Sequence, residues 1–195
     1  MNYLAHIYLS GENELLAIGN FMADGIRGHQ YLEFHPEIQK GVLLHRTIDS
    51  FTDAHPIYRK SKHRLHEKFG HYSGVIMDIV YDHFLAKNWS KYHSTELNVY
   101  TENFYKSLQK HYDLLTEKTK DMMPYMIERD WLTSYATLGG LELILFQMDY
   151  RTKQRANMPA AMQELVKFYP EFENEFTDFF EELKEVCKNR LEELS

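Results

Sequence analysis

Apolar residues recur at helical spacing along almost the whole chain, and little is present to interrupt them: 9 Gly and 5 Pro are scattered over 195 positions. A chain so poor in turn formers has few hairpins available, and its periodicity is that of amphipathic helices. With 44% of its residues hydrophobic, it can build one substantial core, whereas two independent domains would each be thin. The sequence predicts an all-α fold, a single-domain helical bundle over residues 1–195. It contains no internal repeat, low-complexity tract or linker.

Local signals divide the bundle. A short helix is predicted over residues 2–9, and a second from Ser10 or Asn13 to Met22, stopping near Gly25 and Gly28. Pro36 followed by Glu37 reads as a helix start; that helix runs through Ile38, Val42, Leu44, Ile48 and Phe51 to Pro56, which opens a basic helix ending near Gly70. Further helices are predicted from Val75 to Trp89, over residues 95–115, from Met122 to Trp131 with Pro124 near the start, from Leu132 to Met148, from Met158 to Phe168, and from Phe172 to Leu194. Gly139–Gly140 lies within the most apolar of these and predicts close helix contact or a kink.

Charge and cysteine content narrow the function. A net charge of -7 argues against general nucleic-acid binding, which needs a basic surface. The charge is uneven: Arg59, Lys60, Lys62, Arg64 and Lys68 form one basic strip, and Arg151, Lys153 and Arg155 a second, while the last segment is acidic. Such strips are docking surfaces for an acidic partner or simply solvated helix faces. The lone Cys187 excludes an internal disulfide and a Cys-rich zinc site, and reads as a surface or half-buried thiol. The first residues lack the pattern of a signal peptide, and no apolar run reaches the roughly 18 residues of a membrane span. A reducing cytoplasm is the expected compartment.

Chemistry concentrates in the first half. His45 and Asp49 are four apart, about 40° around a helix and so on one face; Asp53 continues the series with further drift. Asp78 and Asp82 repeat the spacing, and His83 follows. Both helices are otherwise strongly apolar, and an isolated ionised carboxylate is costly to bury, so a divalent cation is an economical partner. Imidazole with carboxylate suits Mn²⁺, Mg²⁺, Fe²⁺ or Zn²⁺, and such ligands can converge from facing helices of a bundle. His6 and Asp24 are candidates for the same shell, and Arg27 and Arg46 for a phosphate contact. Plainer roles compete for each residue: His6 as a core histidine, Asp53 as a helix cap, His83 as a donor to a backbone carbonyl, Asp78 or Asp82 as the partner of an arginine. His63, His66 and His71 read as surface residues, and Tyr81 and Tyr150 as aromatic candidates for substrate contact.

Four segments in order, Met1-Asn2-Tyr3-Leu4-Ala5-His6, Gly19-Asn20-Phe21-Met22-Ala23-Asp24, Leu44-His45-Arg46-Thr47-Ile48-Asp49-Ser50-Phe51-Thr52-Asp53-Ala54-His55-Pro56 and Asp78-Ile79-Val80-Tyr81-Asp82-His83-Phe84-Leu85-Ala86, resemble the acyl carrier protein phosphodiesterase family, a divergent relative of the HD-domain metal-dependent phosphohydrolases. The resemblance covers residues 1–90; beyond them it is one of length and helical character. It implies hydrolysis of the phosphodiester joining 4′-phosphopantetheine to a serine of holo-acyl carrier protein, with manganese as the usual metal and Mg²⁺ or Fe²⁺ as alternatives. Carried over, His6, Asp24, His45, Asp49, Asp82 and His83 form the metal and catalytic shell, although Asp82-His83 inverts the HD order. The acidic carrier protein would dock on the strip containing Arg59, Lys60 and Lys62.

The expected mechanism is attack of a metal-activated water on phosphorus, with Asp24 or Asp49 positioning the water and Arg46 or Arg27 offsetting charge on the phosphoryl oxygens. Two rivals stand beside it. One keeps the hydrolase and gives it a nucleotide or other small phosphoester; the other is a non-catalytic helical binding module in which the same residues make structural polar contacts.

Overall fold

Caps and prolines decide where the helices of this computed structural model, which describes residues 1–195, begin and end. Asn13 accepts from the Leu16 amide to start one helix, and Thr116 and Thr137 do the same for Thr119 and Gly140. Pro36 and Pro56 occupy first-turn positions where their missing N–H costs nothing. The eleven α-helices are α1 (Tyr3–Tyr8), α2 (Glu14–Met22), α3 (Pro36–Ala54), α4 (Pro56–Phe69), α5 (Ser73–Lys87), α6 (Leu97–Lys110), α7 (Glu117–Glu128), α8 (Trp131–Ser134), α9 (Leu138–Arg151), α10 (Ala161–Lys167) and α11 (Tyr169–Leu194), linked by short 3₁₀ turns and without a strand. No helix is long and apolar enough to cross a membrane.

α5 is the axis of the bundle. It is apolar around its circumference and packs against α1, α4, α9 and α11. α11 contributes Phe172, Phe176, Phe179, Phe180 and Leu183 to the core, all without solvent exposure. α2 and α3 approach more closely than ordinary side chains allow: a Cβ at Gly19 would collide with the Ile38 carbonyl, and one at Gly41 with the Leu16 carbonyl.

Several boundaries differ from the sequence reading. The predicted Leu132–Met148 helix is two helices, because Thr137 takes an extended backbone and caps α9 with its side chain. Gly139–Gly140 therefore sits in the first turn of α9 rather than at a kink, and Gly140 lies directly against the Ser134 carbonyl. α7 starts at Glu117, several residues before Met122, so Pro124 falls inside it. Cys187 is buried, not half-exposed, and burial pushes its thiol up to about 12.

Candidate metal centre

The glycine crossing of α2 and α3 sets the site. It brings the Asn20 carbonyl to 2.9 Å from His45 Nδ1, while the Asn20 side-chain oxygen lies 2.7 Å from His6 Nδ1. The Asn20 amide nitrogen donates to the His6 carbonyl and to Ser10 Oγ, so its oxygen is the atom facing the ring and must accept. Both imidazoles thus carry their proton on Nδ1 toward Asn20 and turn Nε2 to the same space. The rings stack at 4.2 Å between centroids. Asp49, one turn beyond His45 on α3, reaches both: its oxygens lie 3.0 Å from His45 Nε2 and 3.5 Å from His6 Nε2. Asp24, in the 3₁₀ turn after α2, adds an oxygen 3.3 Å from His45 Nε2.

His6, His45 and Asp49 each offer one donor atom, and the three lie within 4.8 Å of one another. Electrostatics show that the place wants positive charge. Burial opposes protonation of His45, but the bonds to Asp24 and Asp49 outweigh it and hold its pKa at about 9. The His45 hydrogen bond pulls Asp24 down; Asp49 is also pulled down, because its bonds to His45 and His6 exceed the desolvation working against it. Burial lowers His6, leaving its Nε2 a lone-pair donor. Two oriented imidazoles and a carboxylate, with Asp24 at the rim, fit a divalent ion that takes nitrogen and oxygen ligands. The cluster opens into a cavity of about 480 Å³, lined also by Tyr3, Thr52, Asp53, Asp78, Lys118 and Arg151. Thr52 Oγ1 is buried there without a hydrogen-bond partner.

The family model for acyl carrier protein phosphodiesterase matches residues 1–183. The chain belongs to the acyl carrier protein phosphodiesterase family. Proteins carrying that name are similar to it from end to end: one from Photorhabdus laumondii is 27% identical over 97% of this chain and 96% of its own, and one from Serratia proteamaculans 28% over 97% and 99%. Another from Pectobacterium atrosepticum is 27% identical over 97% and 99%. No solved structure matches.

In this member of the acyl carrier protein phosphodiesterase family, four of the six expected ligands, His6, Asp24, His45 and Asp49, come together, and two do not. Asp82 is fully buried and accepts from the amides of Asn2, Leu4 and Ala5. It thereby satisfies the first N–H groups of α1, which otherwise have no partner in so short a helix; burial pushes it up to about 7. His83 faces away, bonded through Nδ1 to the Tyr135 carbonyl and through Nε2 to the Tyr169 hydroxyl. Asp78 holds the Met1 amine and the Tyr58 hydroxyl.

The expected basic contacts also fall elsewhere. Arg46 donates to the Gly28 carbonyl and lies 4.9 Å over the Tyr31 ring; neither it nor Arg27 lines the cavity. On α4, Lys60 and Arg64 pair with Glu175 of α11, Lys68 pairs with Glu164 of α10, and Arg59 bonds to the Asp53 carbonyl. Lys62 lies over the Tyr58 ring. Much of the strip is thus paired within the molecule, although Arg59, Lys60 and Lys68 stay exposed. Tyr81 is buried against Ser61, whereas Tyr150 is exposed near the cavity. Residue-by-residue reading missed Asn20, Lys118 and Arg151 as parts of the site. Asn20 stood in one of the family segments, and Arg151 in the second basic group; Lys118 carried no signal.

Proposed function

We propose that the chain hydrolyses the phosphodiester joining 4′-phosphopantetheine to a serine of acyl carrier protein, releasing apo-acyl carrier protein. The observation that carries this reading is the His6–His45–Asp49 cluster at the base of an open cavity, in a chain whose family and relatives bear the name of that activity. A divalent ion, manganese before magnesium or iron, supplies Lewis acidity toward a phosphoryl oxygen and acidifies water when bound. His6, His45 and Asp49 hold it, and Asn20 keeps both rings in the tautomer that leaves Nε2 free.

Asp24 is exposed at the rim and accepts a hydrogen bond from the attacking water, aligning it with phosphorus. Lys118 and Arg151, which line the same cavity, donate to the non-bridging oxygens as charge builds there. They take the part first expected of Arg27 and Arg46. The water oxygen bonds to phosphorus, the bond to the serine oxygen breaks, and the proton that the water gives up ends on that oxygen, so serine leaves as the free hydroxyl. The cytoplasm goes with such a substrate, and the acidic net charge argues against nucleic acid.

Incubating the protein with holo-acyl carrier protein and Mn²⁺, and following the carrier by mass spectrometry, tests the reading. Conversion to the apo form by the wild type and its loss in Asp49→Ala are expected. No conversion with any divalent metal rejects it.

A further inference from the structure

The cavity above the donor cluster continues past its cationic edge. Lys118 and Arg151 line both it and a second, largely apolar groove of about 730 Å³. A narrow crevice shares Tyr3 and Met148 with the first space and Trp131 and Gln147 with the second. Besides Lys118 and Arg151 the groove is lined by Asp121, Met122 and Tyr125 from α7, Arg129 just after it, Trp131 from α8, and Phe146, Gln147 and Tyr150 from α9. Three of these rings are left in water: Tyr125 is 58% exposed, Phe146 54% and Tyr150 71%. Large apolar side chains gathered on one open face mark a binding surface.

Two further features say what kind of ligand fits. The Trp131 indole N–H is buried and has no acceptor, which favours a ligand able to offer a carbonyl. The Arg151 guanidinium lies 5.0 Å over the same Trp131 ring, so the unmade hydrogen bond and an anion-seeking group stand side by side. Neither Lys118 nor Arg151 takes part in any ion pair of the molecule.

We propose that the α7–α9 groove is the subsite for the prosthetic arm, a flexible chain of amides and methyl groups whose phosphate is held at Lys118 and Arg151. This rests on the hydrolase reading of the site. The chemistry along the route is that of the arm: metal donors and two cations suit its phosphate, an N–H without an acceptor and an amide side chain suit its amides, and the aromatic surface suits its methyl and methylene groups. A second copy of the chain covering the same face would have no use for the cationic edge that joins it to the metal cavity.

Calorimetry on the Mn²⁺-loaded protein, with 4′-phosphopantetheine and inorganic phosphate as probes, tests the groove without turnover. Phosphopantetheine is expected to bind about tenfold tighter than phosphate, from the apolar area it covers. The double variant Phe146→Ser/Tyr150→Ser is expected to lose that margin and keep its affinity for phosphate. Both side chains face water, and an unchanged thermal melt verifies that the variant is folded. Equal binding of the two probes to the wild type, or an undiminished margin in the variant, overturns the proposal. So does a variant that converts a dimer to a monomer with the margin intact, since the face then serves a second copy. Hydrolysis of holo-carrier protein by the wild type is measured separately; its absence beside an intact margin sinks the hydrolase reading and upholds the groove.

Discussion

His45 is wedged between two carboxylates, and its charge governs the metal-free protein. Its folded pKa of about 9 lies above the ordinary 6.5, so its stabilisation is complete below pH 6.5 and is lost as pH rises through about 9. Asp49, held below its ordinary 3.8, contributes above that value. On account of His45 the metal-free protein should lose melting temperature as pH rises from about 6.5 toward 9; a scan of Tm against pH, flattened on its alkaline side in His45→Gln, checks this. A metal must displace the same proton, so binding at pH 7 should release about one proton, read by calorimetry in buffers of different ionisation enthalpy. Asn20→Ala frees the His6 ring, while the Asn20 backbone carbonyl still holds His45, and should weaken metal binding about 10-fold. His45 and Asp49 were legible because four residues on a helix make neighbours. Asn20 was not, since its role depends on a backbone carbonyl meeting a ring from another helix, and no spacing rule describes that. Asp82 was misread for a related reason: a buried carboxylate in an apolar helix needs compensation, and the amides of Asn2, Leu4 and Ala5 supply part of it without a metal.

Between helices, the glycines separate into those that must stay bare and those that need not. Gly41→Ala drives a methyl group into the Leu16 carbonyl; it should cost about 1–3 kcal/mol in a denaturant melt and shift Asn20 enough to lower metal affinity as well. Gly139 has nothing within 4 Å of an added Cβ, so Gly139→Ala should stabilise by about 0.5–1 kcal/mol through helix propensity alone. Most helices could be read from the sequence because prolines, caps and apolar periodicity agree there. The break between α8 and α9 could not, since Thr137 looks like any polar position until its side chain is seen capping Gly140. The start of α7 was hidden by Pro124, which reads as a first-turn residue and lies on an exposed face inside the helix.

Across the molecule, basic and acidic segments far apart in sequence find each other. Glu175 of α11 gathers Lys60, Ser61 and Arg64 from α4. Arg64→Ala would leave Glu175 to Lys60 and Ser61 alone and should destabilise by about 1–2 kcal/mol, a loss visible in the melt and absent from metal affinity, because α4 holds none of the donors. The composition showed both segments; it could not show that one neutralises the other, which is why the strip looked free to receive a partner. The backbone-to-backbone contact of α2 and α3 has an effect of its own. With no side chain between them, nothing at that crossing can be repacked, so the grip of the Asn20 carbonyl on the His45 ring is indifferent to how the rest of the interior is filled. Preference among ions and resistance to heat can consequently drift apart over generations of substitution, each answering to a different set of residues.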